Sequence, residues 1–168
     1  MLLALLIAAQ GMTAGLGNQF VTGSCVNLIL TVAVLMTGFW SGATIAVVSP
    51  FLAFAFNIGP KFVQLLPLIA AGNLVLVLVW YFSARGVRTA IWKQIVGWLC
   101  AAVAKFVALY LLVVKIAAPA LVGGGIIPQK AGVAIAAQFS WPQLVTALVG
   151  GGVALLIVPV LKKALRRN

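Results

Sequence analysis

Apolar residues run through this chain in blocks of about 15 to 25, separated by short stretches of glycine, amide and basic residues. Within a block, polar and apolar positions do not alternate. Blocks approaching about 20 residues predict membrane-crossing helices, whereas alternation at period two would predict barrel strands. Six blocks are present, at about 1–15, 25–39, 42–58, 64–84, 91–114 and 139–161. The expected fold is a single all-α integral membrane domain of six transmembrane helices. The stretch 49–73, SPFLAFAFNIGPKFVQLLPLIAAGN, shows the pattern most plainly. Two apolar runs meet at Gly59-Pro60-Lys61, and Ser49, Asn57, Gln64 and Asn73 sit among Phe, Leu, Ile and Ala. In a bilayer this is two helices turning at one surface, with uncharged polar groups at depth that must find partners.

The punctuation predicts the rest of the topology. Residues 15–24 carry three glycines, two amides and two hydroxyls, which predicts a loop, either a solvated turn or a ligand lid. The turn between the second and third spans is expected at 38–42, and Pro50 is expected to kink the third. The first three blocks are short for full spans, which fits thinned bilayer or helices broken near a site. Trp80 and Tyr81 close the fourth span as an interfacial pair. A long connection is expected over 115–138, with Pro119, three consecutive glycines and Pro128.

Composition sharpens this picture. Of 168 residues, 65% are hydrophobic and 7% charged, far below the roughly 25% charge of a soluble domain. Eleven residues are Lys or Arg, and Asp, Glu and His are absent. Acid–base catalysis, proton relays and zinc or calcium sites all draw on those missing types. No nucleotide-binding G-x-x-x-x-G-K-[ST] loop is present. The chain is therefore expected not to be an enzyme, to carry no metal or cofactor, and to borrow energy for any active transport. Arg85, Arg88, Lys93, Lys162, Lys163, Arg166 and Arg167 fall at one end of the six spans, and Lys61, Lys115 and Lys130 at the other. The positive-inside rule then places both termini in the cytoplasm. Positive charge gathered at membrane boundaries points to lipid headgroups rather than nucleic acid. Cys25 and Cys100 lie in apolar runs and are expected to be buried, inert thiols. The opening MLLALLIAA lacks a basic flank and is expected to be a shortened first span rather than a cleaved leader.

Lys105 breaks the pattern. It follows Lys93 by about 18 Å of helix and precedes Lys115 by about 15 Å, which puts it near the midplane of the fifth span. A lone charge there costs roughly 2.5–3.5 kcal/mol, and no acidic side chain exists in the chain to pair with it. It meets an anionic ligand, faces a wet cavity or carbonyl groups, or pairs with an acid on a partner subunit. Trp98, Ala101 and Ala108 share its helix face, so that face is expected to pack against protein.

Six short spans without energy-coupling chemistry, with TGSCVNLIL at 22–30, the 49–73 stretch and Ala4 and Ala8 four apart in the first span, resemble a known family. The chain is similar to the substrate-binding S component of energy-coupling factor (ECF) vitamin transporters of prokaryotic cytoplasmic membranes. It departs in lacking the few polar or basic residues that usually precede the first span. The resemblance implies one site for a small molecule, built from the first loop, the outer loops and spans four to six. It also implies docking through Ala4 and Ala8 to a transmembrane T component driven by two ATPase subunits. The candidate ligand groups are then Asn18, Gln19, Lys61, Gln64, Asn73, Lys105, Gln138, Trp141 and Gln143. In that set Lys105 holds an anionic group, the amides fix orientation and Trp141 stacks on a flat ring. Each amide has a rival role in tying two helices together. Without acids, a carboxylate-bearing vitamin or precursor fits better than thiamin or another cation. A self-contained channel and a structural subunit of a membrane complex are the competing expectations.

Overall fold

The computed structural model describes residues 1–15, 18–59, 61–84 and 91–165. Arg85, Arg88, Arg166 and Arg167, on which the expected orientation leans, and Pro60 of the expected turn lie outside the described residues. Every regular element among the described residues is helical. The helices are α1 (Leu2–Ala14), α2 (Gln19–Thr37), α3 (Phe39–Ala55), α4 (Leu66–Ser83), α5 (Ile91–Leu109), α6 (Ala118–Gly123), α7 (Gln129–Gln138) and α8 (Trp141–Leu165). A 3₁₀ turn, Val63–Leu65, leads into α4, and a π-helical segment, Tyr110–Ala117, joins α5 to α6.

Four helical stretches, 19–37, 63–83, 91–123 and 129–165, are long and apolar enough to cross a membrane, while α1 and α3 are shorter apolar helices. The outward residues agree. Val96, Leu99, Val103 and Val107 of α5, continued by Leu111 of the π-helical segment, form an exposed apolar stripe at helical spacing. A water-facing helix would put charge there. Cys100, expected to be buried, lies exposed on the same helix, and Cys25 is half-buried.

Helix ends depart from the sequence expectation in three places, each time because more of the chain is helical. Residues 15–24 do not form a loop beyond Asn18: its side chain caps α2 by accepting from the Phe20 N–H at 2.9 Å, and the helix starts at Gln19. Gly23 serves as a contact rather than a turn, because a Cβ there would stand 2.9 Å from Thr146 Cγ2 of α8. The connection over 115–138 is likewise mostly helical, because Pro119 falls in the first turn of α6, where its missing N–H costs nothing. Within that connection the chain leaves the helix only over 124–128, with Gly125 at φ +69°. The turn expected at 38–42 shrinks to Gly38 alone, at φ +89°, between α2 and α3.

The helices α2, α3, α4, α5 and α8 pack in a closed ring, with α2 also touching α4 and with α1 against α2 and α3. Away from the α3–α4 connection, Leu30, Ala33, Val34, Ala46, Leu76, Val77, Trp80 and Ala101 fill the interior. A second apolar cluster, with Leu109, Val113, Leu121, Ile135 and Phe139, seats α6 and α7 on the end of α5. Between the two clusters the ring holds space.

Candidate binding cavity

At the end of the bundle where α1 meets α2 and α3 meets α4, the helices enclose a cavity of about 610 Å³. Its floor is polar. Lys105 is buried, at 3% exposure. Its Nζ donates to Asn27 Oδ1 of α2 at 2.6 Å and to Asn73 Oδ1 of α4 at 2.7 Å. Asn27 is itself oriented, its Nδ2 donating to Thr146 Oγ1 of α8 at 3.2 Å. That hydroxyl donates in turn to the Gln143 carbonyl. A network running through α2, α4, α5 and α8 thus fixes the ammonium in place. Two amide oxygens offset part of its desolvation without neutralising it, and the chain has no Asp or Glu to do so.

Two further polar atoms are buried without a hydrogen-bond partner among the described residues, Ser49 Oγ and Gln10 Oε1. Both residues line the cavity. Elsewhere helix hydroxyls bond back to the carbonyl four residues earlier, as at Thr13, Thr31, Thr37, Thr44 and Ser83. Ser49 does not, although it is 1% exposed.

The mouth is crossed by α7. Ala131, Ala134, Ile135 and Gln138 of this helix line the cavity. Its end is tied on both sides: the carbonyl of Gln138 accepts from Gln19 Nε2 at 2.8 Å and from Gln143 Nε2 at 3.2 Å. That carbonyl is one of those a helix C-terminus leaves unpaired, so it is free to accept both.

Seven of the nine sequence candidates line this one cavity. Asn73 and Lys105 lie at the floor, and Asn18, Gln19, Lys61, Gln138 and Gln143 toward the mouth. Gln64 and Trp141 are not among the lining residues. Gln64 is exposed on the 3₁₀ turn. Trp141 is 61% exposed, and its ring lies 5.4 Å from that of Phe20 rather than over the cavity. Ala4 and Ala8 are exposed on α1, which turns Leu6 inward instead. The candidate ligand groups left out Gln10, Asn27 and Ser49, although Ser49 and Asn27 stand out in the sequence as polar groups at depth that need partners. The signal for Asn27 was the one that marked Asn73, an amide inside an apolar run.

No family model, curated protein or solved structure matches the chain.

Proposed function

We propose that this chain is the substrate-binding membrane subunit of an ECF-type importer, taking up a vitamin or related small molecule that bears an anionic group. The carrying observation is the buried Lys105 amino group, which no acidic side chain of the chain can pair, at the floor of a cavity sized for such a molecule. On this reading six helices cross a prokaryotic cytoplasmic membrane with both termini inside. Lys93, Lys162 and Lys163 then face the cytoplasm, and the cavity mouth faces out with Lys61 and Lys130 beside it. The chain itself performs no catalysis and couples no energy. A transmembrane T component and two ATPase subunits do so, docked on the α1 face that exposes Ala4 and Ala8.

A channel is the weaker alternative, because Asn27, Ser49, Asn73 and Lys105 are the deepest lining groups of the cavity and the buried side chains of Leu30, Val77 and Trp80 fill the bundle elsewhere. Binding without conduction is what a shut floor favours. Two measurements test the proposal. Mass spectrometry of small molecules copurifying with the protein is expected to recover an anion, and Lys105→Met to lower its affinity by about a hundredfold, the worth of a charged hydrogen bond lost in a dry site. Unchanged affinity in that variant, or uptake by the isolated chain in liposomes, overturns it.

A further inference from the structure

We infer that the cavity takes an elongated monoanion, with its acidic group at the Lys105 and Ser49 floor and a hydrogen-bond donor turned toward Gln10 nearer the mouth. This rests on the substrate-binding reading above and adds to it a shape and a second recognition point.

The floor supplies donors. An ammonium has three N–H groups, and Lys105 spends two on Asn27 and Asn73. The Ser49 hydroxyl is buried, faces the same cavity and has no partner among the described residues. The two sites are level. α3 ends and α4 begins at the mouth end; Ser49 lies six residues inside the end of α3 and Asn73 seven inside the start of α4, so both are about 9–10 Å deep. A carboxylate or similar anion can accept from both groups and brings the negative charge that the chain lacks. An amine brought to this floor would find no acid.

Gln10 marks a higher level. A Cβ on the adjacent Gly11 would stand 3.5 Å from Ile58, which lies beyond the end of α3. Ile58 folds back there to donate to the Ala53 carbonyl at 2.8 Å, so Gln10 lies nearer the mouth than Ser49 by at least the four residues from Ser49 to Ala53, about 6 Å of helix. Its buried oxygen only accepts, so it calls for an O–H or N–H on the ligand rather than a second carboxylate. Between the two levels the wall carries Val26, Ala53, Leu65 and Ile69, which suit a carbon skeleton.

The test uses the purified full chain and three probes of one length, 6-hydroxyhexanoate, hexanoate and hexane-1,6-diol, with affinities from titration calorimetry. The hydroxy acid is expected to bind about tenfold more tightly than hexanoate, and the diol about tenfold more weakly than hexanoate. Gln10→Met is expected to erase the advantage of the hydroxy acid over hexanoate. Ser49→Ala is expected to weaken both acids equally. Equal affinities for the two acids, a diol that binds as well as the hydroxy acid, or a Gln10→Met variant that keeps the preference overturns the inference. Mass spectrometry of copurified molecules separates the two levels of failure. A cation or a donor-free anion recovered from the protein overturns this ligand class and leaves substrate binding standing. No recovered molecule together with no binding of any probe overturns both.

Discussion

At the blind end of the bundle, Trp80 and Trp98 fill the space between α4, α5 and α8, and the Trp98 Nε1 donates to the Leu148 carbonyl at 2.9 Å. Glycines let backbones touch from the level of the floor inward: a Cβ on Gly150 would meet Ser24 O at 2.5 Å and Leu28 N at 2.7 Å, and one on Gly151 would meet Trp98 Cδ1 at 2.6 Å. Toward the mouth α2 and α8 still touch at Gly23, but the helices surround open space into which amides and a lysine project. The difference shows how such a chain divides its work. If the surrounding solvent is hydrocarbon, burial of apolar side chains drives little, and close van der Waals packing must hold the helices. The blind half supplies that packing, which leaves the mouth half free to spend polar groups on a site.

The largest expected effect comes from breaking the packed half. Gly150→Val forces a branched side chain against the α2 backbone, which cannot yield as a flexible side chain would, and is expected to destabilise by about 3 kcal/mol or more. A glycine with open space beside it tolerates substitution. A Cβ on Gly123 meets nothing within 4 Å, so Gly123→Ala is expected to stay within about 0.5 kcal/mol of the parent. Thermal unfolding of the two variants in one detergent measures the contrast. Equal losses would mean that packing is not concentrated where the glycines are.

The polar floor comes next. Asn27→Leu removes one of the two oxygens that hold the Lys105 ammonium and the donor that reaches Thr146. It leaves a buried charge with Asn73 alone and is expected to cost about 2–3 kcal/mol. A double variant with Lys105→Met is expected to recover part of that loss, because the charge that needed the oxygen is gone. Strictly additive losses would show that Asn27 serves the α2–α8 contact and not the lysine.

How much of this was legible in the sequence follows from the same contrast. The apolar blocks announced the helices, because a run of Leu, Val and Ala has one structural use in a chain this poor in charge. Lys105 announced the floor, since an unpaired cation so far from either end needs an explanation. Helix ends were hidden, because Gly23 and Pro119 are spelled like turn residues and act as a helix contact and a first-turn residue. Ser49 was visible as a polar group at depth, but its place in the site and that of Gln10 were hidden, because a helix hydroxyl or amide ordinarily satisfies itself or an adjacent helix, and only coordinates reveal one that does not. Trp141 was misplaced for a related reason. Its position in the chain, beside Gln138 and Gln143, put it near the site, but the start of α8 turns its ring outward.

That ring gives the smallest expected effect and the sharpest boundary of the site. Trp141 contacts Phe20 at 5.4 Å between centroids and is 61% exposed. Losing an exposed aromatic pair costs about 0.5–1.5 kcal/mol, so Trp141→Ala is expected to lower the unfolding midpoint slightly. Ligand affinity is expected to stay within about twofold of the parent, since the ring lines no part of the cavity. Gln64→Ala, also outside the lining, is expected to leave both quantities unchanged. Titration of the copurifying molecule against these variants and Lys105→Met decides the matter. A loss in Trp141→Ala comparable to that in Lys105→Met would extend the site to the outer face of α8, and recognition would then involve a flat ring stacked at the mouth rather than an anion held at the floor alone.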